Sequence, residues 1–220
     1  MAKRSYQDGC GAAQALDIVG ERWALLVVRE LTLGPRRYSD LLAAMPTIGT
    51  AVLAQRLADL VAAGVVRRRA LPVPVSATVY ELTAWGTELE PIIRALGRWG
   101  AASPNLRRDL PISVATSVLA LRTNVVPERL PEHDLRIGLR LGGLPFVASV
   151  ADGRFTVEPG EAADVAATVA TDPITLARIT LDGHPLRLAT AEGAAHVDGD
   201  VDAAETILGC FELPPVADTA

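Results

Sequence analysis

The sequence predicts an N-terminal winged helix-turn-helix, mostly α-helical with a two-stranded wing, followed by an α+β domain with a mainly antiparallel sheet. The first observation is the order of elements in residues 16–83, where an apolar helix, a short helix, a long helix and two strands follow one another. The second is a pair of basic groups, one before the short helix and one on the first strand. A fold that lays one helix in a DNA groove has this order and this charge.

Charge is divided unevenly along the chain, which has 220 residues and a net charge of −5. Residues 1–110 carry fourteen Lys and Arg against ten Asp and Glu, or +4, and residues 111–220 carry seven against sixteen, or −9. Two domains, at residues 1–104 and 105–220, explain this asymmetry. Only the basic half suits double-stranded DNA, because the acidic half would repel phosphate.

Composition also bounds the location and the redox chemistry. Half of the residues are hydrophobic, which predicts packed cores rather than long disorder. No apolar run has the length of a membrane span and residues 1–20 lack a signal-peptide core, so we expect a cytoplasmic protein. Two cysteines, Cys10 and Cys210, are too few for a disulfide scaffold.

In the first half, helices and a wing follow from apolar periodicity and from turn residues. Ser39 is placed to cap the short helix, and Gly64 to end the long one. The predicted helices cover residues 12–19, 22–32, 39–43, 50–63 and 84–99. The predicted strands cover residues 65–69 and 78–82, joined by a turn at residues 71–76, and residues 100–105 are predicted as a linker.

The second half changes to short strands separated by Gly and Asp turns. Apolar residues alternate with Arg and Gly through residues 135–141, the period of a strand. Asp152-Gly153 predicts a hairpin, and Asp172-Pro173 predicts the start of a helix. The predicted strands lie at residues 135–141, 144–150, 154–158, 165–170 and near 197–200, and the predicted helices at 112–123, 172–182 and 202–213.

The first hundred residues resemble the HxlR-type transcriptional regulators, relatives of the MarR-like winged helices. The resemblance rests on Cys10, Leu16…Gly20…Trp23, Gly34-Pro-Arg-Arg-Tyr38, Arg56-Leu57, Gly64-Val-Val66, Tyr80-Glu-Leu-Thr83, Gly86 and Trp99-Gly100. It implies a dimeric protein that binds DNA and pairs largely through its terminal helices. Its family also has a redox-responsive branch, which makes Cys10 a candidate switch.

Residues 111–214 resemble the sterol-carrier type-2-like fold. The resemblance rests on Asp152-Gly153, Pro159-Gly160, Asp172…Leu176, Leu181-Asp-Gly183, Ala191-Glu-Gly193 and Val197-Asp-Gly-Asp200. It implies a curved sheet that encloses an apolar tunnel together with its helices. The sequence then offers four candidate pocket residues, Ile137, Leu139, Phe146 and Phe155, although a filled core would use the same residues.

Candidate DNA contacts fall into two groups. We expect phosphate contacts from the basic residues Arg36, Arg37, Arg67, Arg68 and Arg69, although solvated surface charge would give the same pattern. We expect base contacts from residues on or just before the long helix, off its leucine stripe: Thr47, Thr50, Ala51 and Gln55. Gln55 can pair with an adenine edge, and Thr50 or Ala51 can meet a thymine methyl group. Arg56 matches the family but also suits a structural role.

The helix at residues 84–99 carries more apolar surface than a small winged helix needs to cover. Its candidate dimer contacts are Leu89, Ile92, Ile93, Leu96 and Trp99. The alternative is that this face completes the domain core. A two-fold protein would recognise paired half-sites about 34–36 Å apart.

An enzyme is not expected. His133, His184 and His196 are scattered without metal-ligand spacing, and the sequence has neither a nucleophile elbow nor a glycine-rich phosphate loop. No cofactor is predicted. The sequence therefore predicts a homodimeric transcriptional regulator, with repression as the expected sign, whose C-terminal domain binds an apolar small molecule. A redox regulator switched by Cys10, with a passive C-terminal domain, and a small-molecule or lipid carrier remain as alternatives.

Overall fold

A computed structural model describes residues 5–72, 77–161 and 163–218. The chain divides into two compact units, Met1–Ile93 and Arg94–Ala220. This division precedes the domain boundary predicted at residue 104, and Arg94, the first residue of the second unit, donates a hydrogen bond to the carbonyl of Arg122. The predicted linker at 100–105 begins inside a helix that ends at Ala101. Glycine costs a helix only about 1 kcal/mol relative to alanine, so Gly100 does not end it.

The first unit has the predicted order of helices and wing strands, with an additional strand before the third helix and two helices in place of the last one. Its helices are α1 (Gly11–Val19), α2 (Ala24–Leu31), α3 (Tyr38–Ala44), α4 (Thr50–Ala62), α5 (Ala84–Thr87) and the start of α6 (Leu89–Ala101). Its strands are β1 (Arg36–Arg37), β2 (Val66–Ala70) and β3 (Thr78–Leu82), which form an antiparallel sheet in the order β1-β3-β2. Residues 73–76 of the turn predicted at 71–76 lie outside the described residues.

Helix α4 is held by a stripe of leucines. Leu53, Leu57 and Leu60 recur at three- and four-residue intervals, and each is at most 1% exposed. They pack in one apolar cluster with residues of α2 and with Val65 and Val66 at the start of the wing. Gly64 then adopts a left-handed φ of +75°, which ends the helix and turns the chain into β2.

Two local predictions in this unit were wrong. Ser39 does not cap α3, because the helix already begins at Tyr38, immediately after β1, which pairs with β3. The helix cap is instead made at Arg37, whose backbone N–H donates to the carboxylate of Asp40 at 3.1 Å. The helix predicted at 84–99 is two helices. Thr83 caps the short α5, which ends at Thr87 with Glu88 as its C-cap, and α6 follows. A Cβ on Gly86 would lie 2.1 Å from the carbonyl oxygen of Val65, so only glycine fits there.

The second unit contains a five-stranded sheet flanked by helices. Its strands are β4 (Leu135–Leu141), β5 (Leu144–Ala151), β6 (Arg154–Pro159), β7 (Ala167–Thr171) and β8 (Ala195–Gly199). Its helices are the rest of α6, then α7 (Val114–Asn124), a 3₁₀ turn (Pro127–Arg129), α8 (Pro173–Leu181), α9 (Leu186–Ala191) and α10 (Val201–Leu208). The strand order is β6-β5-β4-β7-β8.

This sheet is mixed. Three neighbouring pairs are antiparallel, but β4 and β7 run parallel, because the chain returns from β6 to the far side of β4. The predicted alternation in β4 is confirmed, with Ile137, Leu139 and Leu141 at most 1% exposed. The predicted hairpin at Asp152-Gly153 is also confirmed, since both residues have positive φ, +50° and +67°, as a tight two-residue turn requires.

The C-terminal helix is shorter than predicted and α9 was not foreseen. Helix α10 ends at Leu208, with Gly209 as its C-cap, so Phe211 lies beyond the helix. Phe211 forms a β-bridge with Val125, and its ring packs edge-on against that of Phe155 at 5.1 Å between centroids. Helix α9 has only six residues, too few to show helical periodicity. Among the helices described, none combines the length and the apolar character needed to cross a membrane.

Candidate nucleic-acid interface

The outward face of α4 carries the residues predicted to meet bases. Thr50, Ala51 and Gln55 are all exposed, and Thr47 is exposed in the turn that precedes the helix. The buried leucines on the opposite side fix this face toward solvent. The hydroxyl of Tyr38 donates to the carbonyl of Thr50 at 2.7 Å, which ties the first turn of α4 to α3. Helices α3 and α4 therefore hold the start of α4 in place, and its exposed face consists of mostly small, uncharged side chains.

Gln55 and Arg56 share a carboxylate within α4. Gln55 Nε2 donates to Asp59 Oδ1 at 2.9 Å, and Arg56 Nη1 lies 3.1 Å from Asp59 Oδ2. Arg56 also lies 3.7 Å from Glu21, and its side chain is 17% exposed, which fits a structural role. To read a base, the Gln55 amide would exchange its bond to Asp59 for bonds to that base.

The arginines that flank the helix-turn-helix meet on one small sheet. The strand register places Arg36, Tyr80 and Arg68 in one cross-strand row, and Arg37, Val79 and Arg69 in the next. Residues directly opposite one another in antiparallel strands point to the same face. The sequence predicted both basic groups but not β1, so it did not indicate that they lie side by side.

Glu81 binds two of the three wing arginines. Arg67 Nε donates to Glu81 Oε1 at 2.7 Å, and Arg69 donates through Nε and Nη2 to the two oxygens of the same carboxylate at 3.0 Å each. The bonds from Arg69 lower the pKa of Glu81 despite its burial, and Glu81 in turn raises the pKa of Arg69. Glu81 was not predicted as a site residue, because its position opposite Arg67 follows from the register of β2 against β3.

Helix α6 carries an exposed apolar face. Ile92, Leu96 and Trp99 follow one another at helical spacing and are 50%, 48% and 80% exposed. Leu89 and Ile93 are half-buried and pack against the core of the first unit. The five predicted dimer residues therefore divide into two that complete the core and three that face outward.

The two cysteines lie in opposite environments. Cys10 is exposed at the N-cap of α1, where the amides of Ala13 and then Ala12 lower the pKa of its thiol, although Sγ makes no cap hydrogen bond of ordinary geometry. Cys210 is buried and donates to the carbonyls of Arg129 and Thr206 at 3.0 and 3.1 Å. Burial raises the pKa of the Cys210 thiol.

Three predicted pocket residues lie in the packed interior of the second unit. Ile137, Leu139 and Phe146 are at most 3% exposed, and Phe155 is half-buried against Phe211. A cleft of about 220 Å³ lies elsewhere in this unit, and it is lined by Ile179, Gly183, His184, Pro185, Leu186, Glu205, Leu208 and Gly209. The described residues contain no group of three or more His, Cys, Asp or Glu arranged to hold a metal ion.

Comparison with known proteins places the first part of the chain in a family. A family model described as HxlR-like helix-turn-helix matches residues 18–108. The HTH-type transcriptional regulator YvaP of Bacillus subtilis is 37% identical over 86 residues, which are 39% of this chain and 80% of YvaP. YodB, another HTH-type transcriptional regulator of Bacillus subtilis, is 32% identical over 85 residues, which are 39% of this chain and 76% of YodB.

Among solved structures, the redox regulator HypR in its oxidised form is 27% identical, with a TM-score of 0.41, and the match covers 44% of this chain and all of that one. The family model ends at residue 108, so the sheet of the second unit lies outside it. The identity to YvaP over most of its length, together with the α3–α4 pair and the adjoining wing, shows that the chain belongs to the HxlR-like helix-turn-helix family of DNA-binding transcriptional regulators.

Proposed function

We propose that the protein is a homodimeric transcriptional repressor that lays α4 in the major groove of double-stranded DNA and contacts phosphates through the arginines of the small sheet. The observation that carries this proposal is the exposed face of Thr50, Ala51 and Gln55, next to a sheet that bears five arginines. Small side chains would admit the helix to the groove, and the arginines of the neighbouring sheet would supply the contacts to phosphates.

The partner copy would pack on α6. Three large apolar side chains exposed on one helical face are costly in water, and a second copy would cover them in an isologous pair. Replacing Leu96 by Glu is expected to give a monomer by sedimentation, with weaker binding to a two-half-site duplex. Arg98→Gln, in the same helix outside the apolar face and with the same change of net charge, is the matched control. A Leu96→Glu protein that stays dimeric would remove α6 from the interface.

Fluorescence anisotropy with a duplex selected from a random pool tests the DNA proposal. Binding should weaken as salt rises, with a slope of about −0.9 for each phosphate contacted. Gln55→Ala should cost about 1–3 kcal/mol at one base position if the contact is bidentate, and little on random duplex. A chain that selects no sequence and binds without salt dependence would contradict the proposal.

A redox role for Cys10 is a second candidate, favoured by its exposure and its lowered pKa. A thiolate is the reactive form, so Cys10 would react with an oxidant well before the buried Cys210. Diamide should release DNA from the wild-type protein and leave Cys10→Ser bound. Release from both proteins, or from neither, would assign Cys10 no role in regulation.

For the second unit we propose binding of an apolar small molecule that alters DNA affinity. The support is the cleft of about 220 Å³, whose walls are largely apolar and whose polar groups are His184 and Glu205. The sheet pocket predicted from Ile137, Leu139, Phe146 and Phe155 stays the alternative location. A ligand that binds only the folded chain raises its melting temperature.

Thermal shift of the full chain with a fatty acid, a sterol and an aromatic acid tests ligand binding, and two variants locate it. Ile179→Ala should abolish the shift if the ligand occupies the cleft, and Phe155→Ala should abolish it if the ligand lies against the sheet. No shift with any of the three compounds would leave the second unit without a ligand role.

A further inference from the structure

Glu81 stands at the centre of the basic wing, and its carboxylate has little water around it. Its side chain is 11% exposed, whereas those of Arg67 and Arg69 are 66% and 45% exposed. The register pairs Glu81 directly with Arg67 and places Arg69 diagonally across the same face. One nearly buried carboxylate therefore binds two partly exposed cations on the surface where the wing would meet a phosphate.

The geometry of the three bonds leaves outward donors on both arginines. Arg67 is held through Nε, and Arg69 through Nε and Nη2, so Nη groups of both side chains remain available. Their charge is nevertheless partly cancelled, since two guanidinium groups and one carboxylate sum to +1. Arg68 points to the other face of β2 and makes no ion pair within the described ranges of the chain.

We propose that Glu81 is a built-in counter-ion of the wing that competes with DNA phosphate for Arg67 and Arg69 and lowers the affinity for every duplex alike. The inference rests on the proposed DNA contacts. A carboxylate at hydrogen-bonding distance presents to each guanidinium the same kind of anionic oxygen as a phosphate does. Because phosphate contacts carry no sequence information, Glu81 weakens general binding and leaves discrimination to α4.

Glu81→Gln tests this inference, because glutamine keeps the size and an acceptor oxygen but removes the charge. At about 0.1 M salt we expect a roughly three- to tenfold gain in affinity for random and selected duplexes alike, and a salt slope steeper by about 0.9 for each additional phosphate bound. Glu88→Gln is the control. It removes one negative charge, as Glu81→Gln does, but at the exposed C-cap of α5, and it should leave the salt slope unchanged.

Three results separate the possible failures. Unchanged or weaker binding by a Glu81→Gln protein that melts like the wild type would overturn the counter-ion role and make Glu81 a residue that only orients the arginines. A wild-type protein without salt-dependent DNA binding would instead defeat the proposed function itself. If Glu81→Gln does not fold, Arg67→Ala and Arg69→Ala, which alter the same face of the sheet, replace it. Arg67, held by one bond to Glu81, should then contribute more to the salt slope than Arg69, which is held by two, and equal losses would overturn the inference.

Discussion

Helices that begin with a side-chain cap are more frequent in the second unit than in the first, although α9 of the second unit begins at Pro185 without one. In the second unit, Ser113, Asp172 and Asp200 each accept hydrogen bonds from backbone amides in the first turn of α7, α8 and α10. In the described part of the first unit, Thr83 caps α5 in this manner, but α1, α2 and α4 begin without a side-chain cap, at Cys10, Trp23 and Gly49. The free amides at a helix start attract anions.

This contrast gives two of the acidic residues of the second unit a structural role. Asp172 and Asp200 complete the backbone hydrogen bonding of their own helices, so these acidic residues need no partner outside the fold. The first amides of α4 and α1 have no side-chain cap. Those of α4 would bind a DNA phosphate, and those of α1 would stabilise the thiolate of Cys10. In the second unit the capping residues Asp172 and Asp200 are thus part of the scaffold, whereas the uncapped start of α4 leaves amides that the proposed DNA phosphate could bind.

The largest expected effect concerns how α4 is held without a cap. Its stability must come from burial, and Leu57 is 1% exposed at the centre of the stripe. Leu57→Ala should lower the free energy of unfolding by about 2–5 kcal/mol, because it deletes buried surface and leaves a cavity. Urea unfolding followed by circular dichroism measures this loss. Leu57→Met, which keeps the volume, should cost less than about 1.5 kcal/mol.

A cap deletion in the second unit should have a smaller effect. Asp172 accepts bonds from the amides of Ile174 and Thr175 at 2.8 and 3.0 Å and from the Thr175 hydroxyl at 2.6 Å. Asp172→Ala should cost about 0.5–2 kcal/mol, whereas Asp172→Asn keeps a capping oxygen and should cost less. Equal losses in the two variants would show that charge rather than capping matters at this position.

Asp172 also predicts the direction of a pH effect. Burial raises the pKa of its carboxyl, but the bonds from Thr175 and Ile174 outweigh burial, so the pKa lies below its ordinary value. A carboxyl whose pKa is lowered by folding stabilises the fold above the unfolded pKa of about 3.9, and this contribution is lost as the pH falls through the folded value. The stability of Asp172→Asn should therefore fall less steeply below about pH 4 than that of the wild type.

In both units the sequence predicted the elements whose apolar residues repeat with the period of a helix or a strand. The leucine stripe of α4 and the alternation of β4 repeat with the period of their elements, so the bounds and buried faces of both were predictable. Alternation predicts burial but not empty space, which is why Ile137 and Leu139 were equally good candidates for a pocket and for a core. The Glu81 bonds depend on the register of β2 against β3, which no local pattern contains.

The smallest change in stability is expected from a substitution at Gly49, the N-cap of α4, which has no side chain to bind the first amides of the helix. Gly49→Asp would place a carboxylate at the N-cap, where it accepts amide bonds and interacts favourably with the helix dipole, for a gain of about 0.3–1 kcal/mol. The same carboxylate would repel a phosphate that approaches those amides. We therefore expect a protein that is slightly more stable but binds every duplex less tightly, with a salt slope shallower by about 0.9 for each phosphate that α4 no longer binds.

Gly49→Asn separates the two effects of this substitution, since asparagine caps a helix as well as aspartate does but carries no charge. It should raise the melting temperature less than Gly49→Asp, because it lacks the favourable interaction of a charge with the helix dipole, and it should retain more of the DNA affinity. Wild-type affinity in both variants would mean that the start of α4 does not face the DNA backbone, and its missing cap would then have no part in binding. Equal loss in both variants would mean that occupying the amides or adding a side chain at residue 49 is enough to weaken binding, and that the charge of the aspartate adds nothing.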